Sequence, residues 1–326
     1  MEITNQKQKP STLLCSRVYI ILLFLAFSTI SANGQCLSAA NPVGGIENLM
    51  TQEQGSLRLI SFYKYAQSTQ YYEGSRMSDY EGISKGYYNY LSFMAGYGLF
   101  KRLTLETQAG YFLNKSQVYN VDPSYTLVGR GLSHLTLSVK YGLGTNHVKR
   151  RYLSVGAGFK IPGSRDPKAV DNVQLPYELQ PSTGAYGLLV HAEWVKEIPE
   201  PGLRFFATSR FILNFKNKGD LVPGKVFYNS FYVSKHLMHP AFKGNWTVIL
   251  QVRNEIRTPD RLYGDSEEST GGVLLFLVPQ INYTLKEKWN CSLMADFPLY
   301  QYFRGTQLGA GWGITFTLSR TLLGTY

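Results

Sequence analysis

Long stretches in which apolar and polar residues alternate dominate this chain, and they restrict its fold more than any other feature. In RYLSVGAGFKIPG, residues 151–163, every second residue from Leu153 to Ile161 is apolar, and the residues between them are mostly small or polar. A two-residue period is typical of a β-strand with one apolar face and one polar face. The fold therefore depends on whether the apolar faces pack in a protein core or contact lipid.

Twelve such segments follow one another from residue 55 to the C-terminus. They cover residues 55–66, 86–99, 101–114, 131–144, 150–162, 184–196, 202–216, 224–237, 245–257, 272–285, 287–302 and 309–323. Strands of soluble proteins are most often about five or six residues long, and these segments are at least twice that length. A tilted membrane strand needs about 9–11 residues in the hydrocarbon alone, so the lengths favour lipid as the partner of the apolar faces.

The connections between the segments alternate in length. Short links occur at 99–101, 144–150, 197–202, 239–244 and 285–288. The alternate links are longer at 67–85, 115–130, 163–183 and 258–271, with 217–223 and 303–308 as short exceptions. Short turns at one end and long loops at the other are typical of bacterial outer-membrane barrels, whereas a soluble β-sandwich needs neither this rhythm nor such long strands.

We therefore predict an all-β fold, a transmembrane antiparallel β-barrel of about twelve strands over residues 55–326, in the bacterial outer membrane. An even strand count places both ends of the barrel at the short-turn, periplasmic end. The last strand alternates and ends in Tyr326, and it resembles the C-terminal signal that passes such proteins to the barrel-assembly machinery. The expected partners are that machinery, outer-membrane lipid and a small-molecule solute, and the sequence leaves the oligomeric state open.

The N-terminal residues 1–35 have the layout of a secretory signal peptide. Three basic residues precede an apolar run of 13 residues at 18–30, and the small, polar stretch SANGQ follows it. The run is shorter than the roughly 20 residues that a membrane-spanning helix needs, which argues against an anchor helix. Lipid attachment at Cys36 is disfavoured because Gln35 occupies a position where a lipoprotein signal prefers a small residue.

Residues 36–54 carry no clear alternation and precede the first strand. NPVGG at 41–45 supplies a turn. Because this segment begins on the periplasmic side, we expect it to be either a plug folded into the barrel mouth or a disordered leader.

The net charge of +11 and the pI of about 9.4 raise the question of nucleic-acid binding. Nucleic-acid binders concentrate Lys and Arg on a patch or helix, whereas here the basic residues are scattered and the only tight run is Lys149-Arg150-Arg151. We expect no nucleic-acid partner.

HExxH and CxxC motifs are absent from the sequence and the five His are dispersed, so we expect no metal and no cofactor.

We assign the residues on the more polar face of each predicted strand to the lumen. The predicted lumen-lining residues are Arg58, Lys64, Glu106, His134, Lys140, Lys160, His191, Glu193, Arg204, Arg210, Arg253, Glu255, Phe276 and Asp296. Basic residues outnumber acidic ones in this set, and rings of basic side chains favour anions in a pore. The alternative is that opposite charges pair across a narrow lumen and hold the barrel together. Phe276 and other inward apolar residues would pack against a plug or contact an apolar solute.

An enzyme is disfavoured. Outer-membrane phospholipases are barrels with a Ser-His pair on the lipid-facing side, and the apolar parity here brings no His beside a Ser. His134 and Ser138 share the lumen parity, but four residues of strand place them roughly 13 Å apart, too far for a nucleophile–base hydrogen bond. We therefore predict no catalytic residues.

Several stretches resemble a known family. GSLRLISFYKYA at 55–66, GLSHLTLSVKYGL at 131–143 and LSVGAGFKIPGS at 153–164 are similar to the bacterial outer-membrane proteins of the phenol meta-pathway group, which are distantly similar to fatty-acid channels. The turn Pro162-Gly163-Ser164 departs from the Pro-Thr-Gly-like turn of that group. The resemblance implies uptake of small, often hydrophobic compounds.

The expected function is passive transport of a small hydrophobic or anionic molecule across the outer membrane. The competing hypothesis is a structural or assembly barrel that does not transport and whose extracellular loops bind a partner. A barrel enzyme that modifies lipid is the third and least supported class.

Overall fold

The computed structural model describes residues 50–146, 148–237, 244–286 and 288–322. The predicted signal peptide, the leader up to residue 49 and the last four residues, with Tyr326, lie outside the described residues. In the described part of the chain, no helix has the length and apolar character needed to cross a membrane.

Twelve long strands form the fold, and each of the twelve predicted segments corresponds to one of them. They are β1 Leu57–Ser68, β2 Ile83–Phe100, β3 Leu103–Tyr119, β4 Tyr125–Asn146, β5 Arg151–Pro162, β6 Gly187–Ile198, β7 Leu203–Asn214, β8 Val226–Leu237, β9 Asn245–Arg257, β10 Gly272–Leu285, β11 Trp289–Leu308 and β12 Gly313–Leu322. Shorter strands occur only within the connections of the described chain.

Each strand pairs antiparallel with the next along the chain, and the sheet closes on itself. In the closing pair, Leu57 of β1 lies opposite Leu322 of β12, and Ala66 lies opposite Gly313. Closure gives every strand two neighbours, so the backbone N–H and C=O groups in the hydrocarbon find partners within the sheet. The predicted twelve-stranded antiparallel barrel is confirmed.

Several strands are longer than predicted because β-bulges interrupt the alternation while the strand continues. The register shifts between Phe112 and Lys115 of β3. Before the bulge the even-numbered residues of β3 are buried, and after it the odd-numbered Lys115 and Gln117 are buried together with Ser116. A bulge inserts an extra residue into the strand, so that odd-numbered residues face the lumen where even-numbered ones did before. Counting by alternation therefore ended this strand at residue 114, whereas β3 continues to Tyr119.

The two faces of the wall are the reverse of those in a soluble protein. Phe159 on the outward face is 63% exposed, whereas Lys140 and Arg253 on the inward face are 1% and 2% exposed. Lys and Arg are almost never fully buried unless they are paired, and a wall of exposed apolar side chains is stable only in contact with lipid. The apolar face of each strand therefore contacts hydrocarbon, and the fold is a transmembrane β-barrel.

The longest extracellular connection, residues 163–186, folds back into the barrel mouth. Its 3-10 turn Tyr177–Leu179 buries Leu179, and Leu175 and Gln180 are buried beside it. Gly129 of β4 makes this approach possible, because a Cβ at that position would lie 1.9 Å from the carbonyl oxygen of Leu179. The extracellular end is therefore narrowed by a loop of this chain.

We predict that Phe231→Arg destabilises the barrel by about 2–4 kcal/mol, because Phe231 lies on the lipid face at the middle of β8. Phe227→Arg is the matched control, on the same face and strand but next to the extracellular end, with an expected cost of about 0–1 kcal/mol. Each residue has one aromatic partner, Phe205 and Phe211 respectively. Urea unfolding in lipid vesicles measures both, and equal costs would contradict the assignment of lipid to this face.

Candidate functional site

A group of paired charged side chains is buried at mid-height on the inner wall of the barrel. Arg253 of β9 donates from Nη1 to Asp296 Oδ1 at 3.1 Å and from Nε to Glu255 Oε1 at 2.8 Å. Lys64 of β1 forms an ion pair with the other oxygen of Asp296. The guanidinium group also lies over the ring of Phe276, 4.6 Å from its centroid. Each charge has a partner of opposite sign, as buried charges require.

Aromatic side chains pack beside these charges. Tyr90 lies 4.8 Å from Phe112 and 5.9 Å from Phe62 between ring centroids, and Tyr88 lies 5.9 Å from Phe112. Gly110 makes room for Tyr90, because a Cβ there would lie 1.7 Å from the Tyr90 hydroxyl oxygen. We call these rings and the four charged residues Lys64, Arg253, Glu255 and Asp296, together with Phe276, the central belt.

A second group of charges lies along the inner wall between β3 and β6. Lys140 Nζ is 2.8 Å from Glu106 Oε1 and 2.8 Å from Glu193 Oε2. His191 Nδ1 lies 3.4 Å from Glu193 Oε1. Gly156 on the neighbouring strand is needed here, because a Cβ would lie 2.0 Å from His191 Nε2. Glu106–Lys140 joins the adjacent strands β3 and β4, Lys140–Glu193 reaches past β5 to β6, and His191–Glu193 lies within β6. These contacts line the wall without forming an open ring of one sign.

A cavity of about 480 Å³ opens on the extracellular side of the central belt. Its lining is rich in aromatic side chains and also includes three carboxylates: Tyr71, Tyr80, Tyr87, Tyr88 and Tyr119, with Glu178, Glu267 and Glu268. Lys115 Nζ donates to the carbonyl oxygen of Gln180 at 3.1 Å, which ties the inward-folded loop to the wall. The first extracellular connection contains a hairpin of two short strands, Tyr71–Gly74 and Arg76–Ser78, which we call the extracellular hairpin. Burial raises the pKa of its Tyr71 to about 12, so this phenol stays neutral at physiological pH.

A larger cavity of about 830 Å³ lies at the periplasmic end, and we call it the periplasmic vestibule. Its lining is rich in hydroxyl and amide side chains and includes Arg58, Arg150 and Arg204. Residues 50–53, the described end of the predicted leader, also line it. The Gln52 N–H donates to Thr104 Oγ1 at 2.7 Å, which places this short stretch against the inner wall.

The structure gathers most of the predicted lumen residues into the groups above. Lys64, Arg253, Glu255, Phe276 and Asp296 lie in the central belt, and Glu106, Lys140, His191 and Glu193 form the wall group.

The other five predicted lumen residues lie outside the central belt and the wall group. Arg58 and Arg204 line the vestibule, where Arg204 Nε pairs with Glu197 at 3.0 Å and its side chain is 58% exposed. Lys160 donates to Asn214, and Arg210 is half-buried on β7. His134 contacts the hydroxyl of its neighbour Ser133 at 2.8 Å.

Three features of the lumen were missed by the sequence reasoning. Lys115 was missed because the bulge in β3 reverses its parity. The ion pair between Arg257 and Asp260, at 3.2 Å, lies where β9 ends and its loop begins, so alternation does not reach it. The inward fold of residues 163–186 has no periodic signal. Only Gly129, a small residue opposite the loop, marks its position.

Residues 94–318 match the family model described as "Putative MetA-pathway of phenol degradation". The match covers more than half of the chain. The chain belongs to this family. The resemblance that the sequence predicted is thereby confirmed. No curated protein matches the chain.

Solved structures of other outer-membrane barrels are similar to this member of the family. An outer membrane channel from Pseudomonas putida F1 has a TM-score of 0.65 at 13% identity, with 86% of this chain and 100% of that chain covered. A FadL homologue from Pseudomonas aeruginosa has a TM-score of 0.44 at 8% identity, covering 83% and 91%. The first likeness supports the barrel fold, and the second score is too low to carry an argument.

We predict that Asp296→Asn lowers the free energy of unfolding by about 3–5 kcal/mol, because it leaves two buried cations, Lys64 and Arg253, without their shared carboxylate. Asp220→Asn breaks an exposed ion pair with Lys216 and is the control, with an expected cost below about 1 kcal/mol. Chemical unfolding in detergent or vesicles measures both. A cost for Asp296→Asn no larger than that of the control would show that the belt charges are not coupled.

Proposed function

We propose that this protein is a passive outer-membrane channel for small molecules that are mainly hydrophobic. The observation that carries the proposal is the arrangement of two cavities at opposite ends of one lumen, with the central belt between them. Ligand sites in proteins are concave, mostly apolar and supplied with a few polar groups, and the extracellular cavity has these properties.

The lining of the extracellular cavity favours an apolar solute over an anionic one. Its tyrosine rings and aliphatic side chains offer contact to an apolar molecule, and its three carboxylates, Glu178, Glu267 and Glu268, outnumber its one cation, Lys115. Four of the seven predicted inward cations, Lys64, Lys140, Arg204 and Arg253, form ion pairs with carboxylates. Their positive field is therefore largely cancelled, which weakens the case for an anion pore.

Passage between the cavities requires the central belt to rearrange. The belt is made of side chains, whereas the strands that carry them are fixed by the closed hydrogen-bonded sheet. In this scheme a solute collects in the extracellular cavity, belt side chains exchange partners to let it pass, and the polar vestibule releases it. The polar lining of the vestibule holds an apolar solute weakly, which favours release toward the periplasm.

We predict that the purified barrel in planar bilayers shows a small conductance and that Arg253→Ala increases it several-fold, because the substitution removes the guanidinium group at the centre of the belt. Lys216→Ala, in an exposed loop, leaves the conductance unchanged. Liposome swelling with small solutes provides a second measurement. If neither ions nor solutes pass, even without residues 36–54, the transport proposal fails and a structural or assembly barrel becomes the better explanation.

We also predict that Arg204→Glu shifts the ion selectivity toward cations, because Arg204 is exposed in the periplasmic vestibule. The reversal potential in a salt gradient measures this shift. Arg76→Glu, in the extracellular hairpin and outside both cavities, is the control and leaves the potential unchanged. An unchanged potential for Arg204→Glu would place this residue outside the permeation path.

A further inference from the structure

Two cations face outward next to each other at the periplasmic edge of the barrel wall. Arg151 begins β5, and its cross-strand partner on β6 is Lys196. The next outward pair along the same strands is Leu153 and Trp194, with 42% and 36% of their surfaces exposed. Because two residues of strand span about 6.6 Å, the cation pair lies one step beyond the apolar, tryptophan-bearing face, at the membrane boundary.

Two like charges directly opposite each other destabilise a sheet, and nearby side chains of the protein do not compensate for this pair. The ammonium group of Lys196 donates to the backbone carbonyl of Lys149 at 2.5 Å, a contact that cancels no charge. Glu197 points to the lumen side and pairs with Arg204, and Glu200 is exposed in the following turn. Among the described residues, neither Arg151 nor Lys196 forms an ion pair.

The same combination of a cation and an aromatic ring recurs elsewhere on this edge. The guanidinium group of Arg320 on β12 lies 4.9 Å from the ring centroid of Trp289, and its Nε is buried without a hydrogen-bond partner. Lys235, outward-facing on β8, donates to the backbone carbonyl of Pro201. The periplasmic edge therefore carries several outward cations, of which Arg320 lies over a tryptophan ring.

We propose that the edge formed by β5 and β6 binds the phosphate group of an anionic phospholipid in the periplasmic leaflet, with Arg151 and Lys196 as the direct ligands. A guanidinium group matches two phosphate oxygens, and a lysine adds a point charge. The phosphate would neutralise the like-charge pair, while the acyl chains lie along the apolar face above it, beside Leu153 and Trp194. This site is on the outer surface and is independent of the lumen and of the proposed transport.

The test is native mass spectrometry of the full barrel in neutral detergent with phosphatidylglycerol or phosphatidylcholine. Each Lys or Arg near an anionic lipid surface contributes about fivefold in affinity, so we expect phosphatidylglycerol to bind about 25-fold more tightly. The double variant R151Q/K196Q removes that preference. The matched control is K85Q/R130Q, which removes two outward cations at the extracellular end of β2 and β4 and keeps the preference.

The melting temperature in nanodiscs provides a second measurement. The direction in which the double substitution shifts it distinguishes a lipid-binding role of Arg151 and Lys196 from a merely structural one. In phosphatidylcholine, R151Q/K196Q raises the melting temperature because it removes repulsion, whereas in phosphatidylglycerol it lowers the melting temperature because it removes the bound lipid's ligands. A shift in the same direction in both lipids would overturn the proposal. So would an unchanged lipid preference in R151Q/K196Q, or full displacement of phosphatidylglycerol by millimolar inorganic phosphate, which would indicate a free-phosphate site.

Discussion

The hydrogen bonds between β1 and β12 are the interactions on which the rest of the structure depends. In hydrocarbon no water can pair with a backbone N–H or C=O, so a sheet with free edges is excluded and the strands must close. Leu57 opposite Leu322 and Ala66 opposite Gly313 complete that closure over the length of β1. In the closed sheet, successive side chains of each strand face alternately the lipid and the lumen.

Inward side chains that lie two strands apart on the inner wall reach one another, and this brings charges that are distant in sequence into ion pairs. Lys64 and Asp296 are far apart in the chain yet form an ion pair, and Arg253 reaches the same carboxylate from a third strand. A charge pointing into this space either finds a partner or remains desolvated at a cost. The inward faces of strands that lie two apart are therefore complementary in charge, beyond being merely polar.

Alternation in the sequence was sufficient to predict the strands, the faces and the closed fold, because each depends on contacts with the immediate surroundings of a strand. It was insufficient to predict which inward charges pair. Alternation placed Lys64, Arg253 and Asp296 on the lumen side, but their contact depends on how strands two apart are staggered and on the depth of each residue in the wall, which a single strand does not encode. Parity also failed beyond the bulge at Phe112–Lys115, and the inward fold of residues 163–186 depends on packing against Gly129.

The composition of the central belt fits a barrier that has to open. A buried ion pair is often no more stabilising than well-packed apolar residues of similar volume, although removal of one partner is costly. Arg253 already has two carboxylate partners, and Asp296 has two cationic partners. Such a network can exchange partners while every charge keeps at least one, so rearrangement avoids the cost of an unpaired buried charge. A plug of apolar side chains would have to break packing contacts without that replacement, so the charged belt suits the gating role that the proposed transport gives it better than an apolar plug would.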